Sequence, residues 1–468
     1  MATTEGLARV FSDFVEENRE MMVASLRELL QIPSVKETGK DHRPFGDGPH
    51  SALEYVLNFA QSHGFQVKNI DGYAGHVEYG DGEEYVAVLS HLDVVPAGKG
   101  WSFQPFGAEI VEDNVYARGA IDDKGPAMSA LWALVALKDA NIFPKRKIRL
   151  IFGLDEENNW DCMEYYFQRE PLPIGGFTPD ADFPLIHAEK GVATLRLDMK
   201  ADVDSMSPRV LQFEGGERFN VVPDYAYAVI DCHSETAARE WQQHLYKDAR
   251  HRQIEMDVSL NGSKLQIGVR GVSAHGSRPD LGFNAILQLA SLLSTHSVSN
   301  ASMWRFIANQ DSGGRALGID SSDEVTGDLT SNLGVANLEQ NSYAFFFNIR
   351  YPIDLNKDEL VARCKEYVSD KWTVTLVENL DPLYVPFESP VVQTLLRVYE
   401  QETGISGEAL AIGGATYARA IPNAVAFGPL FPGQAELAHQ PDERWSLTDY
   451  FRCTKIYAHA MFELANTL

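Results

Sequence analysis

YVAVLSHLDVVPAG, residues 85–98, opens with five apolar residues, Tyr85 to Leu89, and then turns polar around His91 and Asp93. A short unbroken apolar run rich in β-branched residues is what a strand buried on both faces requires. Downstream, RGAIDDKGP (118–126) leads through Pro126 into Ala127–Leu137, which reads as a helix, and Lys147–Leu154 is a strand again. Strand, helix, strand at this spacing predicts an α/β layer with a mixed, largely parallel sheet. Upstream, Phe11, Phe14, Val15, Met22, Leu26, Leu29 and Leu30 recur at helical spacing until Pro33. A second helical stretch runs from about Ser51 to His63.

The texture changes near Val192. Alternating runs such as ATLRLDMK, YAYAVIDC, KLQIGVRG and YAFFFNIRYP are interleaved with helical stretches, Leu281–Leu293 among them, as in a separate α+β domain. Near Pro386 the first style resumes, with helices around Val391–Glu402 and Leu447–Ala465. The predicted organisation is a catalytic domain in two parts, 1–191 and 386–468, with an inserted domain at 192–385.

Composition narrows the class. The chain has 468 residues, 44% hydrophobic and 23% charged, which is ordinary for a globular protein. Its 40 Lys+Arg against 66 Asp+Glu give a formal charge of −26, a poor surface for nucleic acid. The longest strongly apolar run, Ala130–Leu137, is far shorter than the ~20 residues of a membrane-spanning helix. The N-terminal sequence carries acids and no apolar leader, so no membrane partner is expected. The cysteines Cys162, Cys232, Cys364 and Cys453 are widely spaced, which argues against a disulfide scaffold or thiolate zinc cluster and suits a reducing cytoplasm.

Five segments carry chemistry. His91 and Asp93 point the same way at i and i+2 beyond the first strand. Asp122 and Asp123 lie side by side in a glycine-bounded loop, where two like charges need a compensating cation. Glu156 and Glu157 in LDEENNW follow the second strand; neighbouring strand-end residues diverge, so one can bind metal while the other faces water. Asp180 follows Pro179 in TPDADFPLI, and His439 sits in AELAHQPDERW. Each alone reads at least as well as a solvated turn or strand end, and the His91–Asp93 pair reads better so. Together, two histidines and several carboxylates at strand ends and loops form the inventory of a paired metal site, where one carboxylate bridges and N/O ligands flank. Without thiolates the set suits Zn²⁺, Mn²⁺ or Co²⁺. His42, His50, His63 and His76 lack matched partners and are expected to be exposed.

HLDVVPAG, RGAIDDKGP, DEENNW, PDADFP and AHQ, in this order, resemble the signature of the co-catalytic metallopeptidases that include aminoacylases and glutamate carboxypeptidases. GGATYAR (413–419), FNIRYP (347–352), WSFQPF (101–106) and the overall length resemble more closely the bacterial peptidase V dipeptidases. The resemblance covers essentially the whole chain. It implies a phosphorylase/aminopeptidase-like catalytic domain with an inserted α+β lid, and two divalent ions per chain, Zn²⁺ first, with Mn²⁺ or Co²⁺ as alternatives. His91 and Asp180 would bind one ion, His439 and Glu157 the other, and Asp122 would bridge them across a cis peptide to Asp123. Glu156 would be the general base and Asp93 would orient His91. His275 in GVSAHGSRP would donate to the oxyanion, and Asn220 in ERFNVVP and Arg350 would contact transition state and substrate carboxylate. The loop of Gly413, Gly414, Ala415 and Thr416 would cradle that carboxylate. Relatives commonly carry a third glycine where this chain has Ala415, whose methyl would narrow the pocket.

The implied activity is hydrolysis of short peptides with free N- and C-termini, by a cytoplasmic monomer with a small peptide as its partner. Two alternatives share the motifs: an N-acyl-amino-acid deacylase or desuccinylase, and a metal-dependent peptide-binding protein that has lost turnover. Glu156 argues against the second, because a binding module has no use for a base beside the water. The length of 192–385 argues against the first, since deacylases of this type carry one compact dimerisation domain there.

Overall fold

The computed structural model describes residues 4–202, 207–296 and 298–468. Contacts divide the chain into two compact units, one comprising Met1–Ala188, Tyr384–Ala411 and Ala415–Leu468, the other Glu189–Leu383 with Ile412–Gly414.

The first unit is built on a nine-stranded mixed sheet. Its N-terminal half supplies helix α1 (Thr4–Leu30), strands β1 (Gln66–Ile70), β2 (Ala74–Tyr79), β3 (Tyr85–His91) and β4 (Asn114–Tyr116), helix α2 (Lys124–Asp139), and strands β5 (Lys147–Gly153) and β6 (Gly175–Thr178). The sheet order is β1-β2-β5-β3-β6, continued by the strands Ala424–Ala426 and Leu185–Glu189. β5, β3, β6 and Ala424–Ala426 run parallel at the centre, with antiparallel pairs on either side. All seven residues of β3 are buried, as the apolar run requires. α2 is apolar all round and every residue from Lys124 to Leu137 is buried, because it packs against both α1 and the C-terminal helix Leu447–Thr467. The helix starts at Lys124, two residues before Pro126; a proline in the first turn costs nothing because the first N–H groups have no helical acceptor. A separate three-stranded sheet pairs Arg444–Ser446 with β4, so the segment after His439 is zipped to the segment before Asp122.

Of the four histidines expected to be exposed only His42 is, and His76 departs furthest from the expectation. His76 lies on β2 and is 3% exposed, not solvated. Its Nδ1 lies 2.7 Å from the hydroxyl of Tyr166, which also accepts from Arg149, and Arg149 is paired with Glu78 and Glu170. His42 is exposed; His50 and His63 are half-buried, the His63 ring lying against Phe59 and Trp132.

The second unit is an eight-stranded antiparallel sheet. Its strands are β7 (Gly191–Lys200), β8 (Arg209–Gly215), β9 (Tyr225–Asp231), β10 (Met256–Asn261), β11 (Lys264–Arg270), β12 (Thr330–Glu339), β13 (Ser342–Tyr351) and β14 (Thr373–Leu380), in the order β10-β11-β9-β8-β12-β13-β7-β14. Alternation decides the faces. On β7, Ala193, Leu195, Leu197 and Met199 enter the core, as do Tyr343, Phe345, Phe347, Ile349 and Tyr351 of β13. The intervening Asn348 and Arg350 therefore share the opposite face. The Leu281–Leu293 stretch divides in two: a short 3-10 turn, Pro279–Leu281, then a helix, Ala285–Ser294, whose N–H groups at Ile286 and Leu287 are capped by Asn284. Among the described residues, no helix is long and apolar enough to cross a membrane.

Candidate active site

Three neighbouring parallel strands end on the same edge of the first unit's sheet. β3 delivers His91 as its last residue, the turn after β5 delivers Glu156 and Glu157, and the bend after β6 delivers Asp180. Carboxyl ends of parallel strands are where open α/β sheets collect ligands. Gly153 closes β5 because a Cβ there would stand 2.5 Å from the Tyr417 hydroxyl. Asp122 comes from the loop that opens α2, and its bond to Asp123 is cis. His439 comes from the C-terminal loop with a left-handed backbone, φ 64°.

These side chains converge on Asp122. One of its oxygens lies 3.0 Å from His91 Nε2 and the other 3.0 Å from His439 Nε2. His439 Nε2 is also 2.9 Å from Glu157, and His91 Nε2 is 3.7 Å from Asp180. Ligand atoms of His91, Asp122 and Glu157 fall within 4.8 Å of one another, and so do those of His91, Glu156 and Asp180.

Asp93 works through more than its expected contact. His91 Nδ1 faces the Asp93 backbone carbonyl at 2.9 Å and the carboxylate at 3.6 Å. A proton on Nδ1 leaves the Nε2 lone pair turned toward Asp122 and Asp180. The Asp93 carboxylate meanwhile accepts the backbone N–H groups of both Glu156 and Glu157, at 3.1 Å each. It thus ties the glutamate turn to the His91 strand end.

The electrostatics ask for positive charge. Burial pushes the carboxyls of Glu156, Glu157 and Asp180 above the usual carboxylate range, and Asp122 adds to this for Glu157 and Asp180. Burial also opposes charge on Asp122, but His439 and His91 outweigh it and hold that carboxyl well below the usual range. Burial likewise disfavours protonated imidazoles, yet Asp122 with Asp93 holds His91 well above its ordinary value, and Asp122 with Glu157 raises His439 to about 11. His91 Nε2 is buried and makes no aligned hydrogen bond among the described residues. Two imidazoles, four converging carboxylates and an orphaned buried nitrogen fit divalent cations, and no thiolate competes for them.

The second unit carries its own polar group. Asn220 and His275 meet through a bridge between Val221 and His275 and a 2.7 Å bond from Gly276 N–H to the Asn220 carbonyl. His275 Nδ1 accepts the Ser277 N–H at 3.3 Å and lies 2.6 Å from its hydroxyl, which places the ring proton on Nε2. Arg350, 6% exposed, donates from Nε to Asn348 at 3.0 Å and from Nη1 to the Gly413 carbonyl at 3.1 Å. Gly413 and Gly414 belong to this unit. Ala415 and Thr416 belong to the first, where Thr416 caps the turn that buries Tyr417 against the His91 ring.

Sequence reasoning missed the residues behind these converging side chains. Glu443 and Arg118 form a wholly buried ion pair at 2.6 Å beneath the Asp122 loop. The signal for Glu443 was its place four residues after His439, in the same quoted motif. Tyr417 lay in a quoted motif too, but nothing local ties an aromatic ring to a histidine far upstream.

The family description Peptidase family M20/M25/M40 matches residues 87–463. A Bacillus subtilis (strain 168) protein named "Putative dipeptidase YtjP" is 38% identical, over 96% of this chain and 98% of its own. One from Staphylococcus haemolyticus (strain JCSC1435), "Putative dipeptidase SH1171", is 34% identical over 97% and 99%. The structure of human carnosine dipeptidase 1 superposes with a TM-score of 0.60 at 14% identity, covering 98% of both chains, and shares the fold. The chain belongs to the M20/M25/M40 peptidase family.

Proposed function

We propose that the protein is a dinuclear metal-dependent dipeptidase that hydrolyses short peptides with free amino and carboxyl ends. The observation that carries this reading is the convergence of His91, Asp122, Glu156, Glu157, Asp180 and His439 at the edge formed by β5, β3 and β6. The relatives named as dipeptidases support the substrate class. In this reading His91 and Asp180 would hold one ion, His439 and Glu157 the other, and Asp122 would serve both; Zn²⁺ is the first choice and Mn²⁺ or Co²⁺ the alternatives. Bound ions would polarise the scissile carbonyl and bring the pKa of water toward ~7, so no nucleophilic side chain is needed.

The chain's own groups supply the rest. Glu156 takes the proton from the attacking water and returns it to the leaving amine. Its raised affinity for protons, caused first by burial, suits a group that must hold one between the two steps. Asp93 fixes the tautomer of His91 and the turn that carries Glu156. His275 would present Nε2–H to the developing oxyanion, with Asn220 beside it. Arg350, with the Gly413–Thr416 loop, holds the substrate carboxylate. The Ala415 methyl narrows that pocket. The enzyme acts as a monomer in the cytoplasm, a compartment that suits four buried, unpaired cysteines.

The test is kcat/KM for one dipeptide, its N-acetyl derivative and its C-terminal amide. The free dipeptide should be hydrolysed best, and the amide should lose ~2–5 kcal/mol of transition-state binding, the range for leaving a buried charge unpaired. Preference for the N-acetyl derivative would make the protein a deacylase, and equal hydrolysis of the amide would remove the carboxylate clamp.

A further inference from the structure

The Asp122 loop and the His439 loop are held together by one side chain that touches neither imidazole. Glu443 is fully buried. Its Oε1 accepts the backbone N–H of Ile121 at 3.0 Å and of Asp122 at 3.4 Å, and its Oε2 accepts from Arg118 Nη1 at 2.6 Å. Its own carbonyl accepts the N–H of Ala117 at 3.0 Å. Arg118 is 1% exposed, with its guanidinium 5.3 Å from the Trp101 ring centre and Nη2 3.4 Å from the Ala97 carbonyl. One residue beyond Glu443, Arg444 pairs with Tyr116 in the ladder between Arg444–Ser446 and β4.

A buried carboxylate so close to Asp122 is electrostatically unfavourable for the acid cluster, and burial followed by Asp122 pushes the Glu443 carboxyl up. A purely structural link would be served as well by apolar packing. What the carboxylate does here is accept two successive amides of the loop that presents Asp122, from a residue four positions after His439. We propose that Glu443 is a positioning residue for the metal centre: it fixes the Asp122 carboxylate relative to His439 so that the pair meets a divalent ion without rearrangement. Arg118 holds the other oxygen of Glu443 at 2.6 Å, so that Oε1 stays aimed at the two amides. The inference rests on the metal-centre reading above.

The test separates the acceptor from the charge. Arg118→Met combined with Glu443→Gln removes both charges yet keeps an oxygen for the two amides. Arg118→Met combined with Glu443→Met removes the acceptor as well. Each protein, stripped with chelator and dialysed, is titrated with Zn²⁺ by calorimetry, and the metal-free melting temperature is measured beside it. The Gln pair should bind Zn²⁺ within about threefold of wild type. The Met pair should lose ~10–100-fold in affinity at one site, the usual scale for a residue supporting a ligand, while its metal-free melting temperature matches that of the Gln pair. Equal Zn²⁺ affinity in the two pairs would overturn the proposal. Where the Met pair does not fold, Glu443→Asp serves instead: one methylene shorter, it keeps Arg118 and retreats from the amides, so affinity should fall about tenfold with the metal-free protein unchanged. Wild-type affinity in that variant would also overturn the proposal. Wild-type protein that takes up no Zn²⁺ would instead overturn the metal-centre reading itself, so the two failures are distinct.

Discussion

Glu156 and Glu157 are adjacent in the chain and both bonded through their N–H groups to Asp93, yet their carboxylates face different partners. Glu157 lies 2.9 Å from His439, whereas Glu156 groups with His91 and Asp180. Glu156→Gln should therefore keep both metal ions and lose ~10²–10⁴-fold in kcat, the range for a general base. Glu157→Gln should instead lose metal at one site. Metal content measured beside kinetics decides between them, and the reverse pattern would exchange the two roles. At this scale the converging side chains were visible in the sequence because each ends a short apolar run or follows a glycine- or proline-marked turn. Glu443 and Arg118 stood inside the quoted motifs, but a carboxylate that accepts backbone N–H groups leaves no pattern that tells its role from that of a surface acid.

Among the elements, β3, α2 and β5 were readable from apolar run length alone. Parallel central strands and a helix covered on all sides have no polar face to blur the pattern. β2 was not. His76, Glu78, Lys147 and Arg149 make the β2–β5 edge look solvated, but the charges pair with one another and bury the histidine among them. That burial, aided by Arg149, lowers the His76 pKa to about 4 from the usual 6.5. The unfolded chain therefore takes up the proton first, so stability from this group is complete above pH 6.5 and is lost as pH falls toward 4. Between pH 7.5 and 4.5 the loss attributable to His76 is about 2–3 kcal/mol. His76→Gln should shrink the acid-induced drop in urea-unfolding free energy by that amount, and an unchanged drop would show that His76 is not depressed.

For the whole molecule, the sequence shows a change of texture near Val192, from buried runs to strict alternation, but nothing in it marks Ile412–Gly414 as part of the second unit. The pairing order of that unit's eight strands was not legible, since alternation specifies a face and leaves the partner open. The monomer reading makes a mixing experiment informative. His275→Ala and Glu156→Gln chains, each inactive alone, should stay inactive when combined under conditions of subunit exchange, and light scattering should give one chain's mass, 52.0 kDa. Recovered activity would show His275 supplied by a partner chain. The most direct test of the central claim is a metal titration of the chelator-stripped wild-type protein, followed by calorimetry and dipeptide hydrolysis together. Two divalent ions should bind per chain, with activity absent from the stripped protein and restored as the sites fill. Full activity in the metal-free protein, or no ion bound at saturation, would contradict the account.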